Sequence, residues 1–504
     1  MVEKLRHGLV IELSEHFQFA SGGAKVPRRH WERFPSRLAQ NADLALRLLE
    51  RHETTATFFV DDWIAEHYPE VIRKIAERGH EIALQADAAT QFCSAIKRLE
   101  SASGYAVHGW RPTPGRDLAP VIDVDLFYGL GASSAKTRRA IVDGGLRATG
   151  EWLRFLPERM VASYIASWTG AATAGIFSFR VWELDPEVPH IATMSSRSRI
   201  RAYRNLPKFA ERIDHLMAEV PFAAMRDQLG LAPERRPRAT LPRIESMPVL
   251  PPEEPRAPLT IVVPCYNEEP CLGYLAKALG TLDSGFGRRH PLSFVLVDDG
   301  SIDGTWAEMH RLFGDNPKFQ LLRHDRNRGI GAAIHTGIIA SKDDVVAVMD
   351  SDCSYDPVRL EEMLPLLEPD VALVTASPYH AQGGVEGVPE WRLFLSRGAS
   401  WLYRSVLRNK LATYTSCFRV CRKSAVEGLS LRHEGYIGVV EMLARLDLQG
   451  WRIVEHPVVL EARLLGQSKI RIIWVIADHL RFMGEISVAR LLTRTRRDLA
   501  RVTR

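Results

Sequence analysis

A proline-rich stretch divides this 504-residue chain into two halves and limits it to folds built from separate domains. The stretch 232–258, APERRPRATLPRIESMPVLPPEEPRAP, holds eight prolines and no apolar period. Proline fixes φ and removes a backbone donor, so this composition is typical of an extended linker. We therefore predict one domain over residues 1–231 and a second over residues 259–469, followed by a separate segment over residues 470–504.

Composition and charge are those of a globular protein and exclude several classes. The chain is 46% hydrophobic and 25% charged, and its net charge of +5 is too small to indicate a nucleic-acid partner. Its six cysteines form no C-x-x-C pair, which favours reduced thiols over a zinc site or a disulfide framework. We see no secretory signal, and the apolar run 472–477 is too short to span a bilayer. A cytoplasmic protein is expected.

Both halves alternate apolar runs with helix-like runs, which predicts an α/β fold. In the first half, GLVIEL, TATFFV and EIAL are interpreted as strands separated by helices, as in βα units around a parallel sheet or barrel. In the second half, LTIVVP, SFVLVDD, DVVAVMD and VALVTA have the composition of buried parallel strands. The segments TWAEMHRLF, GIGAAIHTGIIAS and PVRLEEMLPLL are predicted helices. An open sheet of this kind binds ligands beyond the carboxyl ends of its strands.

Three strand ends of the second half carry polar clusters. They are VVPCYNEE, VLVDDGSIDGT and VAVMDSDCSYDP, and the last includes Asp350 and Asp352. Two carboxylates at a strand end are costly unless a cation or hydrogen-bond donors meet them. A hard divalent cation such as Mg²⁺ or Mn²⁺ accepts these oxygens, bridges phosphates and stabilises charge on a departing diphosphate. A lone D-x-D motif is more often a solvated loop, but its position after a buried strand favours a site.

Residues 259–469 resemble a family 2 glycosyltransferase of GT-A fold, of the dolichyl- or polyprenyl-phosphate mannose synthase branch. The resemblance rests on PCYNEE, VDDGSIDGT, NRGIGAAIHTG, MDSDCSYDP, LSRGASWLYR, TSCFRV and ARLLGQSK. It implies a nucleotide-sugar donor, UDP- or GDP-linked, and a divalent metal held mainly by Asp352 with Asp350. The residues that it implies for the nucleoside, the base, the diphosphate and the closing loop are Pro264, Tyr266, Glu268, Val297, Asp299, Asp350, Ser351, Asp352, Arg463 and Lys469.

The acceptor side matches the synthases in part. The resemblance assigns Arg392 and Ser396, four residues apart on a predicted helix, to a lipid-linked phosphate. The family's other phosphate-binding arginine is absent, because Pro378 stands at its position. Two alternatives stay open: His380 or Arg397 supplies the cation, or the acceptor is another glycan or lipid.

The expected chemistry is one in-line displacement at the anomeric carbon, with inversion. A phosphate nucleophile needs no general base, whereas a hydroxyl acceptor does. Glu441 matches a family carboxylate and is the candidate base. The alternative is that Glu441 orients loops or pairs with an arginine.

The segment 470–504 is predicted to be amphipathic and basic. Charged residues recur at Arg471, Asp478 and Glu485, and residues 488–504 hold six arginines and one aspartate. Such a segment can lie on a membrane surface, pack on the protein's own body or form a dimer. Contact with the inner face of the cell membrane is one expectation, and the oligomeric state stays open.

The first half resembles a polysaccharide deacetylase of the NodB type, a distorted (β/α) barrel, over about residues 8–231. The resemblance rests on HGLVIELSEHF, TATFFVDDWIAEHYPEVIRKIAERGHEIALQ, GWRPTPG and FSFRVWELDPEVP. Active members hold a metal with an aspartate and two histidines and use a later histidine as an acid. Here the first strand offers Glu12, Ser14 and Glu15. The histidine positions hold Gln85, Ala89 and Arg180, and Arg111 is retained.

We therefore interpret the first half as a pseudo-deacetylase, because a site without imidazoles has little affinity for zinc. An unusual site built from Glu15, His16, Gln85 and Asp87 is the alternative. The whole chain is predicted to be a glycosyltransferase fused to a non-catalytic domain for binding or assembly, in a cell-envelope or exopolysaccharide route. The other hypotheses are a glycan-binding scaffold in which both halves are inert, and a bifunctional deacetylase–glycosyltransferase.

Overall fold

The structure is a computed structural model that describes residues 6–18, 26–86, 92–112, 128–129, 147–170, 175–236, 256–466 and 477–490. Asp87, Ala89, Lys469, most of the predicted linker and most of the segment 470–504 lie outside these ranges. The chain forms two compact units. Unit 1 comprises residues 1–31, 36–190 and 194–249. Unit 2 comprises residues 32–35, 191–193 and 250–504.

Unit 1 is built on one parallel sheet. Its strands are β1 (His7–Leu13), β2 (Thr57–Val60), β3 (Glu81–Ala86), β4 (Gly109–Pro112), β5 (Tyr128–Gly129), β6 (Arg147–Thr149), β7 (Ile176–Arg180) and β8 (Phe222–Ala223). The strand order is β5-β4-β3-β2-β1-β7-β6, and β8 also pairs with β1. Each described pairing is parallel. The α/β class predicted for this half is confirmed.

The helices of unit 1 cover this sheet. They are α1 (Leu38–Arg51), α2 (Asp62–His67), α3 (Pro69–Glu77), α4 (Phe92–Ser103), α5 (Gly150–Phe155), α6 (Glu158–Gly170), α7 (Ser196–Tyr203), α8 (Phe209–Glu219) and α9 (Met225–Gln228). Helix α1 follows the amphipathic pattern, since Leu38, Ala42, Ala45 and Leu49 are buried at helical spacing. Strand β1 is buried along its whole length, as expected for a central parallel strand.

Unit 2 is built on a seven-stranded sheet and a small two-stranded one. Its strands are β9 (Leu259–Cys265), β10 (Leu292–Asp298), β11 (Phe319–Arg323), β12 (Val345–Val348), β13 (Val371–Ser377), β14 (Gly384–Glu386), β15 (Arg419–Arg422), β16 (Arg452–Pro457) and β17 (Val459–Glu461). The large sheet has the order β11-β10-β9-β12-β15-β13-β16. Strand β15 runs antiparallel to both of its neighbours, and the other pairings are parallel.

The helices of unit 2 are α10 (Glu269–Gly285), α11 (Thr305–Phe313), α12 (Ile330–Ala340), α13 (Leu360–Met363), α14 (Glu390–Val406), α15 (Lys423–Glu427) and α16 (Tyr436–Gln449). The prediction of one continuous helix over PVRLEEMLPLL is wrong. This segment is a four-residue α-helix between two 3₁₀ turns. Pro365 lies inside it, and a proline there removes a helical hydrogen bond.

The first residues of the predicted linker are bound to unit 1. Glu234 and Arg236, at the start of the predicted linker, pair through their backbones with Ala106 and Gly104 of unit 1. These two residues of the predicted linker are therefore hydrogen-bonded to unit 1. Residues 237–255 lie outside the described ranges.

Among the helices that the structure describes, none is both long enough and apolar enough to cross a bilayer.

Candidate functional site

The central feature of unit 2 is the edge where β9, β10 and β12 end side by side. The register sets Val297 of β10 opposite Pro264 of β9, and Val348 of β12 opposite Val262 of β9. The backbone N–H of Met349 donates to the Val262 carbonyl at 3.0 Å, which continues the alignment beyond β12. Because parallel strands end at the same edge, the three polar clusters predicted from the sequence meet there.

Asp352 is held by an arginine and a serine. The Arg463 side chain donates from Nε to Asp352 Oδ2 at 2.6 Å and from an η nitrogen to Glu268 Oε1 at 2.9 Å. The Ser354 backbone N–H and hydroxyl donate to Asp352 Oδ1 at 2.9 and 2.6 Å. Burial alone would raise the pKa of Asp352, but Arg463 and Ser354 outweigh burial and hold this pKa below its usual range.

Asp350 lies in the opposite electrostatic situation. Burial and the neighbouring charge of Asp352 raise the pKa of the Asp350 carboxyl to about 7. Two nearby carboxylates repel each other when both are ionised, so the pair titrates at separated values. The site therefore has more negative charge than its one paired arginine balances.

This surplus charge fits a divalent cation. Asp350, Asp352 and Glu268 offer hard oxygen donors, and Glu268 Oε2 is buried without a hydrogen-bond partner among the described residues. The described residues contain no preassembled group of three or more His, Cys, Asp or Glu side chains suited to a metal. An oxygen-rich site that also binds a diphosphate needs fewer protein ligands, because the substrate's phosphates supply the others.

A cavity of about 730 Å³ opens beside this edge. Tyr266 lines it on one side, and Ser301, Arg323 and Asn327 line it on another. Gly300 has a positive φ of 69°, and a Cβ there would lie 2.3 Å from the Arg326 carbonyl carbon, so the close approach of the two loops requires glycine. Of the residues that the resemblance assigns to the nucleoside and the base, Tyr266 lines this cavity.

Asp299 holds one wall of this cavity instead of pointing freely into it. Its carboxylate accepts from His324 Nδ1 at 2.7 Å and from Asn327 Nδ2 at 3.1 Å. It also accepts from the backbone N–H groups of Arg328 and Gly329 at 2.9 and 2.7 Å. Pro264 and Val297 are buried in the sheet.

The predicted acceptor residues lie on helix α14. Ser396 Oγ is 3.1 Å from Thr415 Oγ1, whereas Arg392 is exposed, with its guanidinium 5.2 Å from the Trp391 ring centroid. The structure brings Ser396, but not Arg392, into this polar contact.

Near Ser396 lie Arg397, which the sequence analysis named as a substitute cation, and three residues that it gave no role: Tyr379, Thr415 and Tyr436. Arg397 lies 5.2 Å from the Tyr379 ring centroid, next to the proline that replaces the family's arginine. The Tyr436 hydroxyl donates to the Thr415 carbonyl at 3.0 Å, and burial, then charges that include Asp350, raises the pKa of Tyr436. Tyr379, Thr415 and Tyr436 thus connect the acceptor helix with the D-x-D edge. The run TSCFRV was the available signal for Thr415.

Glu441 is buried, and both of its oxygens are engaged. One accepts from Arg445 Nε at 2.7 Å, and the other accepts from the backbone N–H groups of Arg432 and His433 at 2.9 and 2.8 Å. Burial would raise the pKa of Glu441, but these donors lower it below its usual value. This geometry matches the alternative weighed from the sequence, in which Glu441 orients a loop and pairs with an arginine.

In unit 1, the edge expected to hold a deacetylase metal holds an arginine cluster. Arg111 donates to Glu12 Oε2 at 2.6 Å and to Gln85 Oε1 at 2.9 Å, and Arg180 lies 3.8 Å from Glu12. Burial would raise the pKa of Glu12, but the two arginines lower it. The Glu12 carboxylate is therefore already paired with a guanidinium.

Glu15, part of the alternative site, also has a structural role. Its Oε1 accepts from the backbone N–H groups of Arg37 and Leu38 at 3.1 and 3.2 Å, at the start of α1. His16 lies 3.8 Å from the other oxygen of Glu15. Ala89 and Asp87 lie outside the described residues, so the structure says nothing of their part in this edge.

Comparisons with known proteins divide the chain at the same halves. Residues 260–429 match the family model Glycosyl transferase family 2. Residues 32–132 match Polysaccharide deacetylase, and residues 137–230 match a domain of unknown function, DUF3473. The resemblance of the two halves to a family 2 glycosyltransferase and to a polysaccharide deacetylase is confirmed by these matches.

Two curated relatives match one part of the chain. A dolichol-phosphate mannosyltransferase of Pyrococcus furiosus is 27% identical over 215 residues, which are 42% of this chain and 59% of that protein. A polyprenol monophosphomannose synthase of Mycolicibacterium smegmatis is 28% identical over 217 residues, 42% of this chain and 80% of that protein. The match therefore spans less than two thirds of the archaeal relative.

Among solved structures, glucosyl-3-phosphoglycerate synthase from Mycobacterium tuberculosis is similar to 47% of this chain. Its complex with Mn²⁺, UDP and phosphoglyceric acid has 19% sequence identity, a TM-score of 0.34 and 78% of its own chain covered. Its complex with Mg²⁺ and UDP has 19% identity, a TM-score of 0.34 and 79% covered.

Proposed function

We propose that unit 2 is an inverting glycosyltransferase that moves a sugar from a nucleoside diphosphate to an acceptor. The observation that carries this proposal is the pair Asp350 and Asp352, of which Asp352 is bound by Arg463, beside a cavity large enough for a nucleoside. A solvated loop would not keep two carboxylates and a guanidinium together at the shared end of three buried strands. The family 2 match of residues 260–429 supports the same reaction class.

Asp352 and Asp350 would hold Mg²⁺ or Mn²⁺, and the ion would supply positive charge to the departing diphosphate. Ser354 fixes the orientation of Asp352, because it donates to one carboxylate oxygen and leaves the other to Arg463. Ser351 lies between the two aspartates and is buried, so its backbone is the part of it that lies nearest this charge.

Arg463 is the described residue best suited to the donor phosphates. Its forked guanidinium can exchange the Asp352 and Glu268 oxygens for phosphate oxygens without losing hydrogen bonds. Lys469 is proposed to act with it as a second positive charge, on the basis of the R-x-x-G-x-S-K pattern alone.

Tyr266 and Asp299 are proposed to form the nucleoside end of the site in different ways. Tyr266 lines the cavity directly. Asp299 fastens the loop at Asn327 and Gly329, so it would set the shape of the cavity around the base. Pro264 and Val297 would contribute through the backbone at the ends of β9 and β10, and Glu268 through its bond to Arg463.

The transfer itself requires one bond to form and one to break. The acceptor oxygen bonds to the anomeric carbon, while the bond from that carbon to the diphosphate oxygen breaks and its electron pair leaves with the nucleoside diphosphate. An acceptor phosphate such as polyprenyl phosphate is already anionic and needs no base. The two mannosyltransferase relatives, whose names specify dolichol phosphate and polyprenol, support this acceptor class.

Ser396, with Arg392, is proposed to bind the acceptor from helix α14. Arg397 is the better placed of the two substitutes for the missing arginine, because it lies over Tyr379, directly after Pro378. With a hydroxyl acceptor, Glu441 would be the catalytic base suggested by the family pattern. Its engaged oxygens instead favour a positioning role for Glu441 in this chain.

Unit 1 is proposed to be a non-catalytic deacetylase-like domain for binding or assembly in cell-envelope glycan synthesis. The residues at the expected metal edge support this, since Gln85 and Arg180 stand where active members have histidines, and Arg180 lies 3.8 Å from Glu12. The proposed location is the cytoplasm, with contact at the inner face of the cell membrane.

One experiment tests the proposed function. The full chain is incubated with Mn²⁺ or Mg²⁺ and a panel of UDP- and GDP-sugars, with polyprenyl phosphate as acceptor, and nucleotide release is followed. We expect metal-dependent release with one donor and its loss, by about a hundredfold or more, in Asp352→Ala. If no donor gave nucleotide release or nucleotide binding, the transferase proposal would be contradicted and the alternative of an inert scaffold would be favoured.

A further inference from the structure

The outer face of helix α14 exposes three large aromatic side chains. Trp391, Phe394 and Trp401 are 48%, 78% and 71% exposed, which is unusual for aromatic rings on a single helix. Phe394 and Trp401 are seven residues apart and therefore lie almost in line along the helix. Trp391, three residues before Phe394, extends the same stripe toward the start of the helix.

A second row on α14 consists of arginines. Arg397 and Arg404 are also seven residues apart, and each follows an aromatic of the first row by three residues, about 60° around the helix. Arg392 lies about 120–140° away from these two arginines, on the side of the buried Tyr403, so this face has two guanidinium groups. Neither of the two forms an ion pair with a carboxylate in the described parts of the chain. The one acidic residue of α14 is Glu390, at its first position.

The inner face of α14 packs against unit 2, so the outer face is a separate surface. Ser400 and Tyr403 are buried, and the Tyr403 hydroxyl is 2.8 Å from His479 Nδ1. Lys410 closes the carboxyl end by donating to the Arg404 and Leu407 carbonyls at 2.6 and 2.8 Å. The helix thus turns buried residues toward unit 2 and an aromatic–arginine face outward.

We propose that this α14 face docks unit 2 on an anionic lipid bilayer. Tryptophan and phenylalanine partition into the headgroup region of a bilayer, and unpaired arginines beside them attract anionic lipid phosphates. The alternative of a second copy of this chain is disfavoured by charge, because a two-fold contact would bring arginine rows of equal sign together. The proposal goes beyond the transferase reaction, although it rests on the proposed function for its purpose: docking would bring unit 2 to the bilayer that carries a lipid-linked acceptor.

The test is flotation of the full chain with phosphatidylcholine vesicles, with and without phosphatidylglycerol, and with no sugar donor present. We expect binding to the anionic vesicles. The double variant Phe394→Ser, Trp401→Ser should bind about tenfold or more weakly, because it removes the apolar anchors. Arg397→Gln with Arg404→Gln should bind about thirtyfold more weakly to the anionic vesicles, from roughly 1 kcal/mol per arginine.

A matched control removes exposed apolar side chains elsewhere. Met160→Ser with Ile200→Ser changes two residues of unit 1 that are 60% and 55% exposed, and it should float as the unchanged protein does. Thermal unfolding of each variant verifies that it is folded. Equal flotation of the aromatic variant and the unchanged protein, or an equal loss in the control, would overturn the proposal.

Separate measurements test whether a second copy of the chain occupies the α14 face and whether the proposed function is correct. Self-association that Phe394→Ser abolishes, together with absence of vesicle binding, would assign the face to a second copy and overturn lipid docking. Nucleotide release from a donor without vesicles depends on the proposed function alone. Absence of flotation by the unchanged protein, with nucleotide release retained, would therefore refute only the docking, and flotation without nucleotide release would refute only the transferase.

Discussion

At the scale of single residues, one guanidinium sets the charge of the D-x-D edge. Arg463 bonds Asp352 and Glu268, and these carboxylates raise the pKa of Arg463 against the opposing effect of its burial. Asp350 forms no ion pair with an arginine among the described residues, and burial and Asp352 raise its pKa. Arg463 therefore stands where positive charge is required before any donor arrives, and it is the residue whose removal should alter the edge most directly.

Arg463→Gln should change metal and nucleotide binding in opposite directions. Without the guanidinium, Asp352 and Glu268 regain free negative charge, so Mn²⁺ alone should bind more tightly than to the unchanged protein. The nucleoside diphosphate should bind about tenfold or more weakly, because a forked donor to phosphate is lost. Electron paramagnetic resonance of free Mn²⁺ and calorimetry with UDP and GDP measure the two effects.

Arg463→Lys is the matched control, since it keeps the charge and loses only the fork. It should leave Mn²⁺ binding nearly unchanged and weaken nucleotide binding less than Gln does. If Arg463→Gln bound Mn²⁺ no better than the unchanged protein, the guanidinium would not be the charge that balances Asp352 and Glu268.

His80 of unit 1 gives a prediction for pH. Burial, then the charges of Arg78 and Arg226, lowers the pKa of His80 to about 4, and its Nδ1 has no hydrogen-bond partner among the described residues. The unfolded chain, with a pKa near 6.5, takes up a proton between these values while the folded chain does not. Its contribution to stability is therefore present above pH 6.5 and is lost as the pH falls toward 4.

His80→Leu should remove this part of the pH dependence. The free energy of unfolding of the unchanged protein should fall by about 2 kcal/mol more than that of the variant between pH 6.5 and pH 4. Urea unfolding at a series of pH values, followed by the transition of unit 1, measures it. Parallel pH profiles for the two proteins would contradict a neutral buried imidazole.

At the scale of elements, glycine sets how closely α12 approaches α16. A Cβ on Gly331 would lie 2.7 Å from the Gly435 carbonyl oxygen and 2.9 Å from the Gly438 Cα. These neighbours are backbone atoms, which cannot move aside as a flexible side chain does. Gly331→Ala should therefore destabilise unit 2 by about 1–3 kcal/mol in urea unfolding, through a forced separation of the two helices.

Gly280→Ala is the control for the same change of residue. Gly280 lies in α10, is exposed, and has open space where the Cβ of an alanine would lie, so this substitution should stabilise the helix by about 0.5–1 kcal/mol. Equal effects of the two substitutions on the free energy of unfolding would show that packing against α16 does not determine the effect of Gly331→Ala.

The elements also show what the sequence could and could not predict. Long buried runs such as LTIVVP and SFVLVDD predicted β9 and β10 correctly, because central parallel strands are apolar along their whole length. The antiparallel insertion of β15 between β12 and β13 left no such signal, since RVCR is short and ends in arginines. Strand order depends on long-range pairing that local composition does not encode.

The same limit applies to the site. Motif positions predicted that the strand ends at Asp299 and Asp352 matter, but not which partners they take. Asp352 and Arg463 are 111 residues apart, and Asp299 and Gly329 are 30 apart, so only the folded chain brings them together. Glu441 was a candidate base from its place in a pattern, and its hydrogen bonds from Arg432 and His433 became visible only in the fold.

At the scale of the whole molecule, the strand ends of the two units differ in charge, with carboxylates prominent in unit 2 and arginines in unit 1. Unit 2 gathers carboxylates at Asp350 and Asp352 with a surplus of negative charge. Unit 1 places Arg111 and Arg180 beside Glu12. The central claim is therefore that sugar transfer belongs to unit 2 and requires no chemistry at the edge of unit 1.

The most direct measurement compares donor turnover by two variants of the full chain. Asp352→Asn changes the proposed metal ligand of unit 2, and Arg111→Gln changes the arginine cluster of unit 1. Metal-dependent nucleotide release from the accepted sugar donor should fall about a hundredfold or more in Asp352→Asn and stay within about twofold in Arg111→Gln. Undiminished release in Asp352→Asn, or a loss confined to Arg111→Gln, would contradict the claim.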